Sequence, residues 1–151
     1  MTLKLNRLTV ERILKALPLI VFTPEEFRGI FNVPKATAQN FIKRNIKSGL
    51  FFKLRNNYYQ LQDSNPSVYV IANKLYQPSY ISLEKALSHY GIIPEIVYTI
   101  TSVTTKPTQE FVTPKSTFSY QRIKREAYCG YSPKMFDGGV VFFAEREKAL
   151  A

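Results

Sequence analysis

The stretch VPKATAQNFIKRNIKSGLF, residues 33–51, decides how the first third of the chain is read. Pro34 suits the first turn of a helix, where its missing N–H costs nothing. At about 100° per residue, Ala38, Phe41, Ile42 and Ile46 gather on one side of that helix. Ala36, Thr37, Asn40, Lys43, Arg44 and Lys47 gather on the other, with small and amide-bearing residues first and cations last. That order suits a helix entering the major groove of DNA. Its N-terminal residues approach base edges, Asn or Gln pairs with adenine, and the later cations hold phosphates. Gly49 is placed to close the helix.

The flanking segments complete a motif. Upstream, Val10, Ile13, Leu14 and Leu17 keep helical spacing, with Thr9 as the expected N-cap and Pro18 as the stop. LIVF, residues 19–22, reads as a short buried extended segment. TPEEFRGIF then combines Thr23, Pro24 and Glu26 into a capping box for a second helix with Phe27, Ile30 and Phe31 inside. The residue before Pro34 is pushed out of helical geometry, so that helix ends at NVP. Downstream, LFFKL and YYQLQ flank Arg55-Asn56-Asn57, a hairpin whose Asn pair tolerates a tight turn. Three helices followed by a hairpin with a basic tip are the layout of a winged helix-turn-helix, expected over residues 1–62. Base contacts are expected from Thr37, Gln39 and Asn40, and phosphate contacts from Lys35, Lys43, Arg44, Lys47, Lys53 and Arg55.

Charge points the same way. The 151 residues carry a formal net charge of +10. Residues 1–62 hold 6 Lys and 5 Arg against 3 Glu, a net +8, whereas residues 63–151 hold 10 cations against 8 acids, a net +2. The excess marks the N-terminal unit as the partner of a polyanion, double-stranded DNA. A single cysteine excludes an intramolecular disulfide and suits a reducing compartment. The longest apolar run, residues 17–22, is far below the roughly 18 residues of a membrane span. A soluble cytoplasmic protein without a membrane partner is expected.

QDSNPS, residues 62–67, is the expected boundary, with a second domain over 67–151. Residues 67–76 read as a helix, and Ser82 as the cap of another that carries Leu83, Ala86, Leu87 and Tyr90 and stops at Gly91. Strands are expected at 97–105, 110–113, 117–123, 126–131 and 139–144, in a mainly antiparallel sheet with turns at 106–107, 113–114 and 137–139. The fold class is therefore α+β: a winged helix-turn-helix, then a helix-plus-antiparallel-sheet domain. The eight tyrosines after residue 62 are read as half-buried strand residues rather than a partner surface.

No catalytic constellation is legible. His89 is the one histidine, and Cys129 lacks a second histidine to activate it and reads as a buried small hydrophobe. One Cys and one His cannot build a structural zinc site. In EREK, residues 145–148, Arg146 stands where a metal-dependent nuclease wants an acid. Neither a Gly-rich phosphate loop nor a cofactor or metal site is expected, and the chain is not read as an enzyme.

YISLEKALSHYGIIPEIVYTITSVTTK, residues 80–106, followed by FSYQRIK, residues 118–124, and preceded by ATAQNFIKRNIKSGL, residues 36–50, resembles the AbiEi antitoxins of bacterial abortive-infection, type IV toxin–antitoxin systems. The resemblance implies an autorepressor whose winged helix binds inverted repeats in its own promoter. It also implies a C-terminal antitoxin domain that counteracts a nucleotidyltransferase toxin without a stable complex. Members of that family continue through further helices after an EREKAL-like segment, so a shortened relative or a fragment is expected here. Their wing tip often carries a glycine that this chain lacks. Two other readings of the residues stand beside it: a protein-binding module that uses the winged helix for partner contacts, and a ligand-gated transcriptional regulator.

Overall fold

Asn6, not Thr9, caps the first helix. In a computed structural model, which describes residues 5–17, 21–64, 66–82, 85–86, 89–91, 99–113, 116–136 and 139–150, the helix α1 spans Arg7–Ala16. The Asn6 Oδ1 accepts from the Thr9 N–H at 2.8 Å, so Thr9 is the third residue of the helix rather than its cap. Leu17 ends it in an extended conformation, as a residue before proline must. Val10 and Leu14 are fully buried, but Leu17 is exposed and leaves the apolar ridge.

The rest of the first unit, Met1–Asn65, comprises β1 (Val21–Phe22), α2 (Pro24–Phe31), α3 (Lys35–Lys47), β2 (Phe51–Arg55) and β3 (Tyr58–Leu61). Pro18 and residues 19–20 of the expected extended segment lie outside the described residues. The capping box of α2 is complete: the Glu26 N–H donates to Thr23 Oγ1 at 3.1 Å, and the Thr23 N–H donates to Glu26 Oε1 at 3.0 Å. The strands form an antiparallel sheet in the order β1-β3-β2. A bulge between Lys53 and Arg55 lets Phe51 and Leu54, three residues apart, both turn inward.

Phenylalanines hold this unit together. Phe27 packs on Phe31 at 4.6 Å between ring centroids and on Phe41 of α3 at 5.7 Å, while Phe22 meets Phe51 edge-on at 5.1 Å. Each fully buried Phe contributes about 1.5–3 kcal/mol through apolar surface withdrawn from water. Ala38, Phe41 and Ile42 are the inner face of α3, the side that their helical spacing assigns to the core.

The second unit, Pro66–Ala151, contains α4 (Val68–Leu75), β4 (Ser79–Ile81), β5 (Ile100–Thr104), β6 (Gln109–Val112), β7 (Thr117–Arg122), β8 (Tyr131–Phe136), β9 (Gly139–Ala144) and α5 (Arg146–Leu150). Ser67 caps α4, its hydroxyl accepting from the Tyr69 N–H at 3.2 Å. The strands lie in the order β6-β7-β5-β4-β9-β8. This sheet is mainly antiparallel, as expected, with three of its five strand pairings of that kind, but it also has two parallel pairings. β5 and β7 run parallel over five residue pairs, and β4 meets β9 in parallel at Ile81↔Phe143. All five residues of β5 are buried, the pattern of a central strand covered on both faces, and β6 lies outside β7 instead of beside β5.

Two further expectations are corrected here. Residues 126–131 are not a strand: Arg125–Ala127 form one turn of 3-10 helix, and β8 starts at Tyr131 after Gly130. Gly130 has φ +75, a conformation that ends extended pairing. Cys129 is exposed rather than buried. The turn carries its thiol outward, and its carbonyl is the part that is engaged, accepting from the Tyr80 O–H at 3.1 Å. Of the helix expected after Ser82, Lys85, Ala86 and His89 are helical, while Leu83 and Leu87 lie outside the described residues. So do residues 97–98 of the long strand, residue 114 of one turn and residues 137–138 of another. Among the described residues, no helix is long and apolar enough to cross a membrane.

Candidate nucleic-acid interface

The two ends of α3 are fixed by different devices. At its start, Asn32 adopts a left-handed conformation, φ 51, at the end of α2, and Val33 is buried. Pro34 then occupies the N-cap with no side-chain bond. At its end, the Leu50 N–H reaches the Asn45 carbonyl at 3.0 Å and the Gly49 N–H reaches that of Ile46 at 3.3 Å. This pair is a Schellman closure, which needs Gly49 at φ +85. The Asn45 amide donates to the Phe41 carbonyl at 2.8 Å, and the Ser48 hydroxyl lies 3.0 Å from Asn45 Oδ1. Arg7, from the start of α1, donates to the Ser48 carbonyl at 3.3 Å.

With its inner face buried, α3 presents Lys35, Thr37, Gln39, Asn40, Lys43, Arg44 and Lys47 as exposed side chains. Thr37, Asn40, Lys43 and Arg44 line a single concavity. Lys35, Gln39 and Lys47 are exposed outside that lining. Arg44 Nε donates to the Asn40 carbonyl at 3.4 Å, which holds the guanidinium against the helix. On the hairpin, Lys53 is exposed and Arg55 half-buried, its guanidinium 5.0 Å above the Tyr58 ring. Asn57 takes the left-handed position of the turn, φ 69.

Three of the four acids of the unit are held by other partners, and the fourth, Asp63, lies against Glu11. Glu11 pairs with Lys15 at 3.0 Å, Glu25 pairs with Arg28 at 2.9 Å, and Glu26 closes the capping box. The hydrogen bond from Lys15 holds the Glu11 carboxyl below its ordinary range and raises Lys15 in turn. Among the described residues, none of Lys35, Lys43, Lys47 and Lys53 makes an ion pair. The outer face of α3 is therefore a cationic surface with amide and hydroxyl groups set into it.

Sequence spacing missed the residues that position α3. Gly49 signals the helix end, and Asn45 and Ser48 beside it are the local clue to its closure. Arg7 gave none, because its partner lies 41 residues away. Also unflagged was a second cationic depression, where Arg122, Lys124 and Arg125 gather with Thr105 and Thr108 beyond the ends of β5 and β7.

The remaining reactive side chains sit apart from α3 in sequence and in the second unit. His89 is exposed with its ring against Tyr69, Tyr90, Phe136 and Phe143. Partial burial, then the charges of Lys134 and Lys85, lower its basicity. Among the described residues, no group of three or more His, Cys, Asp or Glu could hold a metal ion. No family model matches the chain, and no curated protein matches it.

Proposed function

We propose that residues 1–62 are a winged helix-turn-helix that binds duplex DNA sequence-specifically, with α3 in the major groove and the β2–β3 hairpin as the wing. The observation that carries this reading is the concavity on α3. It brings an amide, a hydroxyl and two cations together, while Glu11, Glu25 and Glu26 are engaged with other partners. Asn40 and Thr37, with Gln39 beside them, read base edges through bidentate and single hydrogen bonds. Lys35, Lys43, Arg44 and Lys47 on the helix, and Lys53 and Arg55 on the wing, hold phosphates and set the register. The positioning of α3 by its Schellman closure and by Arg7 supports the precision such reading needs.

The resemblance to the AbiEi antitoxins supports a cytoplasmic, non-enzymatic autorepressor of a type IV toxin–antitoxin operon that needs no cofactor. The second unit then acts as the antitoxin against a nucleotidyltransferase toxin, without a stable complex. The test is fluorescence anisotropy with labelled duplex from upstream of the gene, against a scrambled duplex, across a range of salt. About six phosphate contacts give a log–log salt slope near −5. A steep slope with preference for the native duplex supports the reading. Steep but indifferent binding removes the sequence-specific part, and no binding at low salt overturns it.

A further inference from the structure

A break in the large sheet leaves the N–H and carbonyl of one β9 residue without a strand partner among the described residues, at a residue that lines a cavity. β4 is three residues long and touches β9 only at Ile81↔Phe143. Beyond that point no strand among the described residues pairs with this flank of β9. Asn73 of α4 stands in for the missing strand at one position: its Oδ1 accepts from the Phe142 N–H at 2.6 Å, and its Nδ2 lies 3.4 Å from the Phe142 carbonyl. The peptide groups of Phe142 therefore point away from β8, and the alternation of a strand sends those of Val140 the same way. Among the described residues, no hydrogen bond reaches Val140 from that flank.

Val140 and Phe142 line a cavity of about 380 Å³, together with Val70 and Asn73 of α4 and with Tyr128 and Tyr131. That volume is in the range of small-molecule sites. The aromatic walls are braced from behind. Tyr131 stacks on Tyr80 at 4.6 Å, leans on Tyr128 at 5.2 Å and meets Phe142 edge-on at 5.7 Å. Phe142 is nevertheless 47% exposed and Val140 54% exposed, so apolar surface is left open at the cavity mouth.

One free donor and acceptor between aromatic walls selects a ligand class. An extended peptide needs a row of backbone partners, and this flank offers one. A planar heteroaromatic ring with adjacent donor and acceptor atoms needs one such edge and a face to stack on. We propose that the cavity in the second unit binds a nucleobase-type ring, paired with the N–H and carbonyl of Val140 and packed against Phe142 and Tyr131. The ring arrives as a free nucleoside or nucleotide. This site is separate from α3 and does not depend on how α3 is used.

The test uses the full chain labelled with nitrogen-15, titrated with adenosine, guanosine, cytidine and uridine in turn, and with a short single-stranded oligonucleotide. At least one nucleoside is expected to shift the Val140 amide resonance saturably. Phe142→Ala, at an exposed position, is expected to weaken that binding about tenfold through loss of one packing ring. Val140→Pro removes the N–H, and the wild-type amide shift provides a readout even where that variant fails to fold. The proposal is overturned if no nucleoside moves Val140 at millimolar concentration, or if Phe142→Ala binds as well as wild type. Binding by the oligonucleotide alone overturns the assignment to a free ligand.

Discussion

Arg7 Nη1, in the first turn of α1, donates to the carbonyl of Ser48 at the C-cap of α3, 3.3 Å away across 41 residues of sequence. The Schellman closure satisfies the carbonyls of Asn45 and Ile46 but not that of Ser48. A guanidinium there also meets the negative end of the helix dipole. Arg7→Ala is expected to lower the stability of the first unit by up to about 1 kcal/mol, read from the urea midpoint. Amide exchange in the last turn of α3 should speed up at the same time. Unchanged exchange there would mean that the contact positions nothing.

The capping box of α2 bears on α3 through the stacked pair Phe27 and Phe41. Thr23→Ala removes the acceptor of the Glu26 N–H and is expected to cost about 1 kcal/mol in chemical denaturation. Thr23→Ser keeps that acceptor and should stay close to wild type. Equal losses in both variants would show that the methyl group, not the hydroxyl, is what matters.

Two substitutions on the outer face separate reading from holding. Asn40→Ala is expected to cost about 1–3 kcal/mol on the native duplex and little on a scrambled one. Lys47→Ala should weaken both alike and reduce the salt slope by about one unit. Anisotropy titrations of each variant at several salt concentrations decide between the roles. An Asn40→Ala loss that is equal on both duplexes would sink its assignment as a base reader.

Gly130 is pinned from two sides. Its φ of +75 already disfavours a side chain, and an added Cβ would lie 2.9 Å from the Cβ and Cγ of Lys148 on α5. Gly91, also in the second unit, has φ +72 but open space around it. Gly91→Ala is expected to cost about 1 kcal/mol for the backbone alone, and Gly130→Ala clearly more, because α5 must also shift. Matching thermal midpoints for the two variants would contradict the steric part of this account.

Local chemistry was the legible part of the fold. Thr23, Pro24 and Glu26 spell the start of α2, and the spacing of Ala38, Phe41 and Ile42 assigns the inner face of α3. The outer face followed from the same periodicity, so every helix residue expected to touch DNA is exposed. What spacing could not supply was partnership over distance. Whether β7 pairs with β5 in parallel depends on where β6 lies, and nothing within either strand encodes that. The 3-10 turn at Arg125–Ala127 failed for a related reason. Ala-Tyr-Cys-Gly-Tyr looks strand-like, yet Gly130 is held at positive φ while its carbonyl accepts from the Glu145 N–H at 2.8 Å. The Thr9 expectation failed because Asn6 and Thr9 are both competent caps, and the helix keeps the extra turn residues that Asn6 allows.

Tyr80 offers a test of the second unit's core that involves neither DNA nor ligand. Burial, and then the neighbouring Cys129 and Tyr131, raise its hydroxyl to about 12, and burial raises Tyr128 in the same direction. An unfolded tyrosine ionises near about 10. Above that pH the folded state retains protons that the unfolded state has lost. This contribution to stability is therefore complete below about pH 10 and declines as pH rises toward the folded value. The measurement is alkaline titration by tyrosinate absorbance beside near-ultraviolet circular dichroism. A late fraction should ionise only as the fold is lost, and Tyr80→Phe should shrink it. If Tyr80→Phe leaves the late fraction unchanged, the ring that braces Tyr131 is not shielded from water as its packing requires.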